Sequence, residues 1–186
     1  MSMRILFLLM PILLLSGCTG ANHDRFLIEP VAAATTVKTD ARTISITTVN
    51  LPTYAKESGI FVQNGAGAIV AIPKADWADD TERAMRLFLV RSLADISGAQ
   101  VASDPWPLSG VPEAEIRIDV EQMLVDSSNT MRLSGQFSIR RDRAESRSRI
   151  RQFNIATKAR SSSAADVVTA HGEAWQELAK VLANAI

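Results

Sequence analysis

The chain has 186 residues, 20 Lys and Arg against 20 Asp and Glu, and a single cysteine. A formal net charge of zero at pH 7 argues against a nucleic-acid partner, which normally leaves a strongly basic footprint. One cysteine excludes an internal disulfide, and the length suits one ordinary domain with its own core.

The amino terminus carries the most specific signal. Arg4 and the free amine form a short basic region, followed by the uncharged apolar run from Ile5 to Leu15. That run is well short of the ~20 residues needed to span a bilayer and reads as the apolar core of a signal peptide. It ends in Leu15-Ser16-Gly17-Cys18, a lipobox: an apolar residue, two small ones, and the thiol that receives diacylglycerol. Residues 1–17 are expected to be removed and Cys18 to carry the lipid. Each buried methylene contributes ~0.8 kcal/mol, so two or three acyl chains of palmitate length hold a protein firmly to a membrane. Thr19 follows the cysteine, where an Asp would argue for retention at the inner membrane. The expected location is the periplasmic face of the outer membrane.

From Thr19 to about Asp40 the chain is rich in Ala and Thr and reads as a tether, with Arg25–Ile28 a short docking strand inside it. Thr43–Val49 alternates and is β-branched, as in a half-buried strand. Ile60–Gln63 and Ala68–Ile72 flank Asn64-Gly65-Ala66-Gly67, the pattern of a hairpin that Pro73 is expected to stop. Asp76 is the expected N-cap of a helix from Trp77 to about Ser97, with Asp79 and Asp80 in its first turn and Gly98 past its end. After a Pro105-Trp106-Pro107 loop come three longer strands, near Glu115–Val125, Met131–Arg141 and Arg147–Lys158. Ser163 and Asp166 resemble a capping box for a last helix to Ile186. This order predicts a two-layer α/β sandwich, a mixed or antiparallel sheet with two helices on one face.

Catalytic chemistry finds little to stand on. His23 lies in the tether, and His171 falls on the apolar stripe of the last helix, where a lone histidine reads as a core or boundary residue. No metal-ligand spacing, nucleophile elbow or phosphate loop is present, and Asp79-Asp80 reads as helix-start acid rather than paired catalytic carboxylates. No enzyme and no cofactor are expected.

With these residues in place, the chain resembles the PqiC-like family of ABC-type transport auxiliary lipoproteins. The carrying residues are the lipobox at Cys18, Leu51-Pro52-x-Tyr54, Gly59-Ile60-Phe61-Val62 and Trp77-Ala78-Asp79-Asp80. Pro105-Trp106-Pro107 and Ile116-Arg117-Ile118-Asp119-Val120 complete the set. Each motif alone is weak; their order and spacing behind a lipobox make the set fairly specific. The resemblance implies a non-catalytic accessory of a periplasm-spanning lipid transport system, partnered by an ABC transporter and an MCE-type (mammalian cell entry) protein. It also implies a ring-forming homo-oligomer. The expected layout is a signal peptide at 1–17, a lipidated tether at 18–42 and one domain at 43–186. Leu51, Pro52, Tyr54, Trp77, Pro105 and Trp106 are expected mainly to lock the fold. A periplasmic assembly factor without lipid traffic and a lipid-anchored enzyme are the alternative functions.

Two surfaces are candidate interfaces. Leu87 and Val90 lie opposite the core stripe of the first long helix, either as scattered surface residues or as a contact with a neighbouring subunit or the MCE partner. Strand parity places Arg141, Arg143, Arg147, Arg149 and Arg151 on the helix-covered face of the sheet near a hairpin tip. Such a basic ledge is either a solvated tip or a contact for acidic protein residues or anionic lipid. For the anchor, Cys18→Ser is expected to abolish acylation and move the protein from the detergent to the aqueous phase. A wild-type protein with no acyl mass on Cys18 would refute the localisation.

Overall fold

The computed structural model describes residues 23–30, 36–142 and 148–186. Cys18 and residues 1–17 lie outside them, as do Arg143 and Arg147. The strands are β1 (Asp24–Phe26), β2 (Thr43–Asn50), β3 (Gly59–Gln63), β4 (Ile69–Trp77), β5 (Gln100–Ser103), β6 (Ala114–Val125), β7 (Thr130–Arg141) and β8 (Arg149–Lys158). The helices are α1 (Thr53–Lys56), α2 (Thr81–Ser97) and α3 (Ala164–Ala185). They form the expected two-layer α/β sandwich, with one eight-stranded mixed sheet.

Alternation explains the layering. In β7, Met131, Leu133, Phe137 and Ile139 are buried, while Arg132, Gln136 and Arg140 face water. α2 packs on β2 and β5, α3 packs on β7 and β8, and the two helices touch each other, so one face is covered. The other face stays polar, with Arg117, Asp119, Gln136, Arg140, Gln152 and Asn154 among its residues. Trp175, Leu178 and Leu182 of α3 are fully buried beneath it with Met85, Leu89 and Leu93 of α2.

β6 organises the sheet. One edge pairs with β7 along its whole length. The other edge serves two strands in succession, both parallel to it: β2 from Ile44↔Ala114 to Asn50↔Asp119, then β3 at Val62↔Val125. Between them the chain leaves the sheet for the single turn of α1. Tyr54 on that turn reaches back, and its hydroxyl accepts the Met123 N–H at 3.0 Å, where neither strand pairs. Leu51 is buried, and its N–H donates to the Glu82 carboxylate at 3.1 Å, tying this crossing to the start of α2. β6 is bulged at Glu121, and Gly135 of β7 lies against the bulge. A Cβ at Gly135, whose φ is +157°, would fall 2.2 Å from the Asp119 carbonyl oxygen, so only glycine fits.

Three local expectations are corrected. Pro73 does not stop the hairpin: β4 continues through it to Trp77, which is buried at the strand's end and is not the opening of a helix. Pro73 sits in a bulged stretch, where Ala71 to Asp76 on β4 face only Phe61 to Gly59 on β3, so its missing N–H disturbs no regular ladder. The helix therefore starts at Thr81 with Asp80, not Asp76, as N-cap; its carboxylate accepts the Arg83 N–H at 2.8 Å. The short N-terminal strand is Asp24–Phe26, parallel to β4. Phe26, Ile28 and Val37 pack against the core, and the Val37 N–H donates to the Ile96 carbonyl at 2.8 Å.

Tyr54→Phe is expected to cost about 1–2 kcal/mol, because it leaves the Met123 N–H half-buried without its acceptor. Urea unfolding of the two proteins at neutral pH checks this, and equal midpoints would show that the Tyr54 bridge contributes nothing to stability.

Candidate interaction surface

The two ends of the sheet differ in chemistry. At one end lie the beginnings of β2, β5 and β6, the ends of β7 and α3, and the start of β8. At the other lie the β3–β4 turn and the β6–β7 turn, brought together by the Val62↔Val125 pair. β6 has 12 residues, so these ends are about 40 Å apart.

The first end gathers Arg42, Arg140, Arg141, Arg149 and Arg151 with the carboxylates of Glu113, Glu115 and Asp142. Arg140 pairs with Glu115, its Nε 3.0 Å from one carboxylate oxygen. Arg141 is half-buried, and its guanidinium donates to the Ile186 carbonyl at the end of α3. A cation there also meets the negative pole of the helix. Arg141 thus has a structural partner. Arg149 and Arg151 are exposed and stand opposite Ile139 and Phe137, on the helix-covered side that strand parity predicted. The β5–β6 loop adds the exposed Val111, which lines a hollow with Arg140 and Arg141. In that loop Pro105 is exposed and Trp106 is half-buried.

A second surface lies on the flank of α2. Leu87 is exposed there and shares a shallow groove with Leu27, Ile28 and Pro30, floored by Phe88 and Trp77. Leu27 was missed by sequence reasoning, because nothing in the local pattern brings residue 27 beside residue 87. Val90 is corrected: it is half-buried and packed against the core. α2 buries a wider arc than one stripe because it touches both the sheet and α3, where Ser92 donates to Gln176 at 2.9 Å.

The histidines separate. His23 pairs with Asp76 at 2.7 Å beside the start of β1. His171 is buried, edge-on to the Trp77 ring with centroids 5.4 Å apart, and its Nδ1 lies 2.9 Å from the Val167 carbonyl. Burial, only partly offset by that carbonyl, pushes its imidazole down to about 4. Trp77 and His171 together join β4 to α3. Among the described residues, no group of three or more His, Cys, Asp or Glu could hold a metal ion.

This geometry can be set beside known proteins. The family model for the ABC-type transport auxiliary lipoprotein component matches residues 26–183. The chain belongs to that family. Of solved structures, an uncharacterised protein shares its fold with a TM-score of 0.71 at 15% identity, covering 88% of this chain and 97% of the other. A Xanthomonas campestris protein of the DUF330 family aligns with a TM-score of 0.65 at 16% identity, covering 85% and 92%. A comparison with curated protein sequences finds no match. In this auxiliary lipoprotein the motif residues Leu51, Tyr54 and Trp77 all sit at joints of the fold: the β2–α1 crossing, the β6 edge and the β4–α3 contact.

His171 makes stability depend on pH. An unfolded imidazole titrates near 6.5, so the unfolded chain takes up the proton first as pH falls. The fold then loses on the order of 3 kcal/mol between pH 6.5 and pH 4 through this residue, and nothing above pH 7. His171→Leu is expected to flatten the fall in urea midpoint between pH 7 and pH 4.5. A wild-type midpoint already flat over that range would mean the imidazole is hydrated.

Proposed function

We propose that the chain is a non-catalytic, lipid-anchored accessory of an ABC/MCE-type lipid transport system, held at the periplasmic face of the outer membrane and working as a ring-shaped homo-oligomer. The observation that carries this reading is the two-ended character of an auxiliary lipoprotein domain. β1 runs parallel to β4 and begins at its end nearer the β3–β4 turn, while Arg140, Arg141, Arg149, Arg151 and the exposed Val111 lie at the opposite end. A domain tethered at one end presents the other to the periplasm. There, guanidinium groups favour acidic protein surfaces, with apolar side chains beside them to be buried on contact. This geometry favours a protein partner over the anchoring membrane for the arginine-bearing end.

The test is crosslinking in intact cells followed by purification of the full chain from separated inner and outer membranes. The expected result is an MCE-domain protein recovered with the chain from the outer-membrane fraction. Arg149→Gln with Arg151→Gln should lower that recovery, and its salt sensitivity, while shifting stability by less than about 0.5 kcal/mol. Recovery of outer-membrane assembly factors in its place, with no transport protein, would favour the envelope-assembly alternative.

A further inference from the structure

The β3–β4 hairpin is built unlike the rest of the surface. From Gly59 to Pro73 the chain carries no charged residue over 15 positions. Asn64 to Ala71 are all exposed, including Ile69 at 42% and Val70 at 39%. Beyond the Val62↔Val125 pair the hairpin has no β6 partner. Its turn is closed on itself. The Asn64 side-chain oxygen accepts the N–H groups of Ala66 and Ala68, each at 3.0 Å. The Ala68 carbonyl accepts Asn64 N–H, the Asn64 carbonyl accepts Gly67 N–H, and the Gly67 carbonyl accepts the Gln63 amide. With these partners met internally, and with no charge on the turn, it can enter an apolar phase at lower cost, since each unmet polar group there costs free energy.

Chain length sets where this hairpin can be. Asp24 pairs with Ala75, and β1 is parallel to β4, so β1 begins at its end nearer the β3–β4 turn. Cys18 lies only six positions before Asp24, a reach of at most about 20 Å. Ile69 lies six positions before Ala75 on the neighbouring strand, about 20 Å along it, so the hairpin turn is within the span that the cysteine can reach.

We propose that the β3–β4 hairpin is a second membrane contact, seating Ala66 to Val70 at the boundary between headgroups and acyl chains of the bilayer that holds the N-terminal lipid. This rests on the reading that Cys18 is acylated. The hairpin fixes the orientation that a lipid on a short link alone leaves open: the sheet stands off the membrane with its arginine-bearing end pointing away. Lys74, at the left-handed φ of 60°, and Pro73 lie in the bulge where the uncharged stretch ends, so the charged surface resumes on the body side.

The experiment uses the full lipidated chain in vesicles of phosphatidylethanolamine and phosphatidylglycerol. An environment-sensitive dye is placed on Ala66→Cys or, as control at the far end, on Asp142→Cys. The wild-type chain should take up no dye, since its one thiol is acylated. The Ala66 dye should shift to the blue on reconstitution and lose emission to lipids brominated on their upper acyl carbons, while the Asp142 dye does neither. An Ala66 dye that stays in water, quenched by iodide and not by brominated lipid, overturns the hairpin contact and leaves the anchor standing. A dye shielded before lipid is added and blind to brominated lipid assigns the hairpin to a neighbouring copy and also overturns it. Labelling of the wild-type chain shows a free Cys18 and refutes the anchor together with the contact built on it.

Discussion

A single edge of β6 has to serve two strands, and the fold depends on how the gap between them is closed. β2 and β3 are both parallel to β6, so the chain must leave the sheet after Asn50, cross, and re-enter at Gly59. A backbone N–H stranded in that gap would cost as much as several good contacts contribute. Tyr54 supplies the acceptor, Leu51 is buried at the exit, and Glu82 holds the exit to α2 while also pairing with Lys56 at 3.0 Å. The bulge at Glu121 and the glycine at 135 belong to the same device, because they let the other edge of β6 follow the change in twist.

The polarity of the molecule follows from that fork. Because β3 joins β6 at its far end, the β3–β4 hairpin is carried past the body, and β1 pairs with β4 beside it. The same strand begins, about 40 Å away, beside Arg140 and Arg141. The two ends of β6 are therefore chemically distinct, arginines and carboxylates at its start and an uncharged hairpin beside its end. The turn at Asp126 shows how differently the remaining tip next to the hairpin is treated. There the Ser128 hydroxyl, the Thr130 and Ser128 N–H groups and Arg132 converge on one carboxylate and hold it well below the usual carboxylate range.

The strands of the meander were readable to within a residue or two because their alternation is uninterrupted: one face must be buried, and a shift of one residue would turn every side chain to the wrong side. The last helix was readable for a similar reason, with Ser163 accepting the Asp166 N–H at 3.3 Å as its capping pattern implied. The region from Pro73 to Asp80 was not. It offers three acidic residues that could each cap a helix and a proline that could end a strand, and local preference does not choose among them. Asp80 takes the cap because Trp77 is needed at the sheet, against His171.

The sequence by itself determined the family, the two-layer architecture and the alternation that sends Arg149 and Arg151 to the helix-covered side. All of these rest on short-range periodicity and on motif order, which the chain carries in its own numbering. Only the tertiary structure decided which residues meet: Leu27 beside Leu87, Arg141 on the end of α3, Val90 turned inward, and β1 on β4. Those contacts join residues far apart in the chain. What fixes them is the packing of two helices and a forked sheet around one core, and no local pattern encodes that.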